Sequence, residues 1–344
     1  MTAPRAATPS PGDIDRLGLG FATAKILLTA LRLGLFTALA GGPRTPRKLR
    51  DELGLHGRGI EDFLHALTAL GLLERTPDGY RNAPVARERL VRGPGYAGGF
   101  LEGADAVLYP AWAGLEQALR TGAPQNTGGI EDMLADPHRR QGYLGMMDAL
   151  SAPLAPYVAA ALDWRAHTVV ADVGGARGNL LSLLLREHPH LRGIVFDRPQ
   201  NAPACAEHTR GLGTGDRIAF TGGDFFTDAL PACDAMVVGH VLADFSEDER
   251  RALVRSAYKA LAPGGALLVY DPMPDPAHPD LSAAVGSLHM LVMSPAGAGY
   301  PPHNCAQWLA EAGFTGVRTL PAGPGNTVVT GHKPKAAAAS GNGH

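Results

Sequence analysis

Apolar residues recur at helical spacing through residues 13–39, where Phe21, Ile26, Leu27, Leu31, Leu35 and Phe36 are too many for one face of an isolated helix. A helix this apolar calls for a partner surface. Residues 45–54 and 59–70 then read as a helix pair and 72–81 as a hairpin turning at Pro77, Asp78 and Gly79, which together make a winged-helix pattern. Residues 96–160 keep helical spacing but are rich in aromatic and Met side chains: Phe100, Tyr109, Trp112, Tyr143, Met146 and Met147, most of them read as core. Beyond residue 160 the period changes. Short apolar runs at 169–173, 193–197, 218–226, 235–240 and 264–271 alternate with helical stretches, and 316–320 with 327–332 reads as a closing hairpin. The pattern predicts an α/β chain in three parts, 13–95, 96–160 and 161–333.

The run at 169–173 leads into Gly174, Gly175 and Gly178 and resumes as a leucine-rich helix. Glycines let the backbone turn tightly and approach a ligand with no Cβ in the way, and the helix that follows presents free N–H groups. The next strand ends in Asp197, at about the separation at which an acid of a βαβ unit reaches a ribose diol. Turn and acid together read as a nucleotide-type ligand site. A dinucleotide dehydrogenase would carry this fingerprint near the start of its domain and follow it with a second nucleotide half, which the closing hairpin argues against. Taken singly, Asp172 and Asp224 suit helix caps equally well, and Phe225 a core position.

In this order the pieces resemble the class I S-adenosylmethionine (SAM) methyltransferases, in particular the plant O-methyltransferase and acetylserotonin methyltransferase type, over nearly the whole chain. The resemblance implies a Rossmann-like SAM-binding domain preceded by a winged-helix domain that dimerises, and hence a homodimer. It implies that SAM lies with its methionine part against Gly174 and Gly175, its ribose on Asp197 and its adenine between Asp224 and Phe225. It also makes residues 96–160 the wall of the acceptor pocket, with Trp112 or Met147 facing the substrate.

Charge narrows the partner. In 344 residues, 31 Lys plus Arg stand against 33 Asp plus Glu, a net charge of -2 that leaves no basic field for nucleic acid or an anionic membrane. The helix at 59–70 carries Glu61 and Asp62 where phosphate contact would need Arg or Lys. A small-molecule partner is expected, and Arg139 or Arg140 is available for a substrate carboxylate or is simply solvated. Cys205, Cys233 and Cys305 form no C-x-x-C pair, which fits thiols in a reducing cytoplasm. No run approaches the roughly 20 apolar residues of a membrane span, and the start lacks a signal peptide's apolar core, so a cytoplasmic location is expected. Residues 1–11 and 336–344 read as tails.

One position departs from the family. O-methyl transfer needs a base near the acceptor hydroxyl, and the resemblance implies the His of a Leu-His-Asp-Trp segment opening the helix after the fourth strand. Here that position is Ala243, followed by Asp244, a candidate helix cap, and Phe245. Two other histidines, His240 at the strand end and His289 on the helix that lines the acceptor site in this fold, make the chain look like the 2-oxo-acid β-C-methyltransferases of nonribosomal peptide pathways. In that branch such a pair holds a metal ion that chelates the substrate. A divalent or trivalent ion bound through keto and carboxylate oxygens would stabilise the enolate left when a β-proton departs, making a strong base unnecessary.

The expectation is therefore C-methylation of an apolar 2-oxo acid such as the leucine-derived one, with SAM and a metal ion as cofactors and His240 and His289 both catalytic and metal-ligating. His303 is a further ligand or a loop residue. The structural readings are a His240 bonded to a backbone carbonyl and a His289 in the core. Two alternatives stand: a phenol O-methyltransferase using His240 or Asp244, and a SAM-binding protein of the same fold that no longer transfers methyl.

Overall fold

The apolar stretch at 13–39 is three helices, Pro11–Gly18, Gly20–Arg32 and Leu35–Ala38. The computed structural model describes residues 10–93, 96–126, 134–323 and 325–336. Leu19 ends the first helix at φ -90, ψ 0, and Gly34 separates the other two at φ 70, a conformation that L side chains rarely adopt. Ser10 caps the first helix in a capping box with Asp13, so the expected N-terminal tail stops short of residue 10. Residues 1–9 and 337–344 of the two expected tails lie outside the described residues.

Two compact units divide the chain after Asp105. In the first, the breaks let Leu31, Leu35 and Phe36 turn into one core with Leu49, Leu64, Leu67, Leu73 and Tyr80. The helix pair is Pro46–Glu52, capped by Thr45, and Ile60–Ala69, with Glu61 and Asp62 exposed in its first turn. The hairpin is β1 (Leu73–Thr76) with β2 (Gly79–Asn82), and Arg44 adds a bridge to Tyr80 that completes the winged-helix arrangement. Ile14, Leu17 and Leu19 remain 62, 77 and 62% exposed.

The second unit is built on a seven-stranded sheet. Its strands are β3 (Val169–Val173), β4 (Arg192–Asp197), β5 (Ile218–Gly222), β6 (Cys233–Gly239), β7 (Leu261–Asp271), β8 (Thr315–Pro321) and β9 (Thr327–His332), in the spatial order β5-β4-β3-β6-β7-β9-β8. From β5 to β7 all pairings are parallel, and the closing hairpin adds β9 and β8 antiparallel. Successive residues point to opposite faces, so Ala171, Val173, Met236 and Val238 join one core while Val170, Ala235 and Val237 join the other. The chain leaves β3 toward β4 on one side and returns to β6 on the other, which opens a crevice at the carboxyl ends of β3 and β6. Among the described residues no helix is long and apolar enough to cross a membrane.

Candidate active site

Three residues of the turn after β3 are left-handed: Gly174 (φ 76), Ala176 (φ 51) and Gly178 (φ 76). Gly174 and Gly175 leave no room for a side chain. A Cβ on the first would stand 2.4 Å from Cγ2 of Val241, and one on the second 2.7 Å from the Asp172 carboxyl. Ala176 keeps its strained conformation with its N–H donating to Asp197 Oδ2 at 2.7 Å. Asp197 Oδ1 accepts from the Arg198 N–H at 2.7 Å and from Asn201 Nδ2 at 2.9 Å. Burial pushes the Asp197 carboxyl up and these three donors pull it back; Oδ2 retains capacity for one more donor.

Asp172 caps no helix: it lies within β3 beneath the turn, and burial, then the charge of Asp197, raises its carboxyl to about 7. Past β5, Asp224 accepts the Phe226 N–H at 2.9 Å and Arg198 Nη1 at 2.9 Å, which hold it below the usual carboxylate value. Arg198 thus links Asp197 and Asp224 by its backbone and its guanidinium. Half-buried Phe225 sits edge-on to Phe226 and Phe245, with ring centroids 4.8 and 5.4 Å away.

On the other side of the crevice, His240 follows β6 at φ 53, its N–H donating to the Tyr270 carbonyl at 2.9 Å. Burial lowers its pKa, so the ring is neutral, with Nε2 donating to Asn326 Oδ1 at 2.9 Å. His289, on the helix Leu281–Met293, is also lowered by burial and meets Trp112 edge-on at 5.2 Å. The ring of His240 is thus tied to an amide, not to a backbone carbonyl, and His289 is half-buried against an indole. His303 is exposed on the first turn of Pro302–Ala312, Arg139 is exposed, and the Arg140 guanidinium donates to the Leu134 carbonyl at 3.0 Å.

The residue that sequence reasoning undervalued is Asp244. It does not cap the helix Glu247–Ala260, which starts from Ser246 in a capping box with Glu249. The Ser-x-x-Glu spacing of residues 246–249 was the available signal. Asp244 ends the turn Leu242–Asp244, half-buried, and burial raises its carboxyl to about 7 against the pull of Arg250. That turn is pinned from several sides. The buried Arg250 guanidinium donates to the Leu242 carbonyl at 2.8 Å and the Ala298 carbonyl at 2.6 Å, and Ser294 Oγ donates to the Asp244 carbonyl at 2.6 Å. Arg250 packs 4.7 Å over the Tyr300 ring, whose hydroxyl donates at 2.5 Å to fully buried Asp271, raised by burial to about 8. Tyr143 on the helix Pro137–Ser151 is raised by burial and then by the charges of Asp244 and Asp197.

The O-methyltransferase domain family matches residues 112–315, and the O-methyltransferase dimerisation domain matches residues 16–92. The chain is 46% identical over 337 residues to the tetracenomycin polyketide synthesis 8-O-methyl transferase TcmO of Streptomyces glaucescens, covering 96% of this chain and 99% of that protein. It is 40% identical over 283 residues to the N,N-dimethyltransferase OxyT of Streptomyces rimosus, covering 80% of this chain and 82% of that one. Among solved structures, the mitomycin 7-O-methyltransferase MmcR superposes with a TM-score of 0.84 at 27% identity, covering 94% of this chain and 97% of that chain.

These relatives are named for methylation at oxygen and nitrogen, which overturns the expected methylation of a 2-oxo acid at its β-carbon. The physical reason lies in the site. The missing base at Ala243 motivated the metal reading, and its neighbour Asp244 is a carboxyl that burial raises to about 7. His240 is bonded to Asn326 and His289 lies against Trp112, and among the described residues no three of His, Cys, Asp or Glu gather to hold a metal ion, so nothing supports the expected metal. The chain belongs to the O-methyltransferase family, with the family's dimerisation domain at its N-terminal end, and is a SAM-dependent methyltransferase.

Proposed function

We propose that this chain methylates a phenolic hydroxyl of a polyketide-type secondary metabolite, with Asp244 taking the phenol proton. Asp244 carries the proposal: it is half-buried at the carboxyl end of β6, and its value of about 7 lies near the pH at which a general base combines ionised fraction with driving force. The bare backbone at Gly174 and Gly175 and the spare acceptor capacity of Asp197 fit SAM, with Asp224 and Phe225 flanking the adenine. SAM supplies a methyl group made electrophilic by its sulfonium. The protein then has to hold the acceptor oxygen in line and accept its proton. His240 and His289 flank the acceptor, and the edge of His289 with Trp112 offers an aromatic wall to a flat ring. The helix Pro137–Ser151 supplies further wall, Tyr143 and Met147 included.

The polyketide relative at 46% identity supports the acceptor class. The dimerisation-domain match and the exposed Ile14, Leu17 and Leu19 support a homodimer formed through the N-terminal unit. Three buried free thiols, Cys205, Cys233 and Cys305, fit a cytoplasmic location.

The test is incubation of the purified protein with SAM and a panel of polycyclic phenols and amines, with the methylated position assigned by NMR. A methyl ether is expected, with kcat rising with pH as Asp244 ionises and reaching a plateau above about 7. Asp244→Asn should lower kcat at least about 100-fold and remove that rise. An unchanged profile in the variant would dismiss Asp244 as the base, and methylation of amines alone would dismiss the phenol.

A further inference from the structure

We propose that Asp148 and Arg177 form a latch through which a methyl donor seated at the turn after β3 orders the helix Pro137–Ser151, so that donor binding prepares the acceptor wall. The inference rests on the donor placement proposed above. Arg177 follows Ala176, the non-glycine residue at φ 51 whose N–H is held by Asp197. The direction of the Arg177 side chain therefore depends on the conformation of the turn and on the acid assigned to the donor's ribose.

Arg177 donates from Nε and Nη2 to Asp148 Oδ2 at 2.7 and 2.5 Å, with the two side chains only 18 and 17% exposed. A charge-assisted pair sheltered from water in this way is stronger and less screened than a surface pair. Two residues on, Asn179 Nδ2 donates to the Asp148 carbonyl at 3.3 Å and to Ser151 Oγ at 3.2 Å. His208 Nε2 stands 3.1 Å from Asn179 Oδ1 and 3.4 Å from Asp148 Oδ2. Residues 177 and 179 of the turn thus both grip the last turn of the helix.

That grip matters because the residues it holds are themselves only half-buried. Leu144 and Met146 are buried, whereas residues 147–151 are all only half-buried. A helix end held by polar ties with few buried apolar contacts is drawn from the low-stability part of a fold, and a ligand that stiffens the turn stiffens it too. Tyr143, proposed above as part of the acceptor wall, lies on the same helix.

Hydrogen-exchange mass spectrometry of the full chain with and without S-adenosylhomocysteine tests the latch. S-adenosylhomocysteine should slow exchange at residues 174–179 and also along the helix Pro137–Ser151. Asp148→Asn and Arg177→Gln should keep the first response and lose the second, and Arg177→Lys should retain part of it because one donor survives. Circular dichroism identifies any variant that fails to fold, and Arg177→Lys then carries the comparison. A helix response absent from the parent protein, or unchanged in the variants, would overturn the latch and leave a static clamp. No protection at 174–179 would overturn the donor placement itself, and the latch with it.

Discussion

The Asp197 carboxylate accepts the backbone N–H of Ala176 at 2.7 Å, so the acid at the end of β4 holds the left-handed turn at the end of β3. Asp197→Ala removes both a ligand acceptor and the support of the turn. SAM affinity measured by calorimetry should weaken by about 1–3 kcal/mol. Unchanged affinity would remove Asp197 from the site.

The two small residues of that turn should respond in opposite ways. Gly174→Ala places a Cβ 2.4 Å from Val241 Cγ2 at φ 76 and should lower stability by about 1–3 kcal/mol. Ala176→Gly relieves a strained φ of 51 and should be neutral or stabilising. Chemical denaturation of both variants checks the contrast, and equal losses would contradict it.

Buried Asp172 and Asp271 and half-buried Asp244 contribute to stability with an unusual pH dependence. Asp172, Asp244 and Asp271 are raised from 3.8 to about 7, 7 and 8. At each of these groups the folded chain holds its proton more tightly than the unfolded one, so their contribution to stability falls as pH rises from about 4 to about 8 and then levels off, against the opposite contribution below about 7 of His240 and His289, which are lowered by burial. Asp271→Asn, which removes the most raised group, should lose less melting temperature than the parent between about pH 5 and about pH 9. Parallel curves would refute the assignment.

Leu17, 77% exposed on the helix Pro11–Gly18, belongs to the surface assigned to dimer contact. Ile14→Glu with Leu17→Glu should shift the mass found by light scattering from dimer toward monomer at micromolar concentration. An undisturbed dimer would take this helix out of the interface.

On the acceptor-wall role proposed for His240 and His289, chelators should leave phenol methylation intact. His289→Asn should raise the acceptor KM more than it lowers kcat, because it removes one edge of that wall and leaves Asp244 in place. A chelator-sensitive rate would reopen a metal role for the pair.

Much of this architecture was legible along the chain. The succession of strands in the methyl-donor half, the glycine turn and Asp197 follow from short apolar runs and from residues chosen for local backbone conformation, and each is read within a few neighbours. The break of the first apolar stretch was less so, although Gly34 marked one of its two joints. Gly174, Gly175 and Asp197, named along the chain, lie together at one crevice, and Asp244, named there as a candidate cap or as the base of a phenol O-methyltransferase, leaves the cap to Ser246.

By itself the amino-acid sequence determined the alternation of helices and strands and the family framework, because periodicity, glycine conformations and capping spacings act over a few residues. Only the tertiary structure decided the surroundings of Asp244, His240 and His289. Nothing local to Asp244 raises its carboxyl to about 7; that comes from burial once the helix Leu281–Met293, the segment around Ala298 and the strand end at Asp271 close around the turn. Likewise, the pairing of His240 with Asn326 spans 86 residues and that of His289 with Trp112 spans two segments far apart in the chain. Desolvation and long-range pairing are properties of what packs together, so they appear only in the folded molecule.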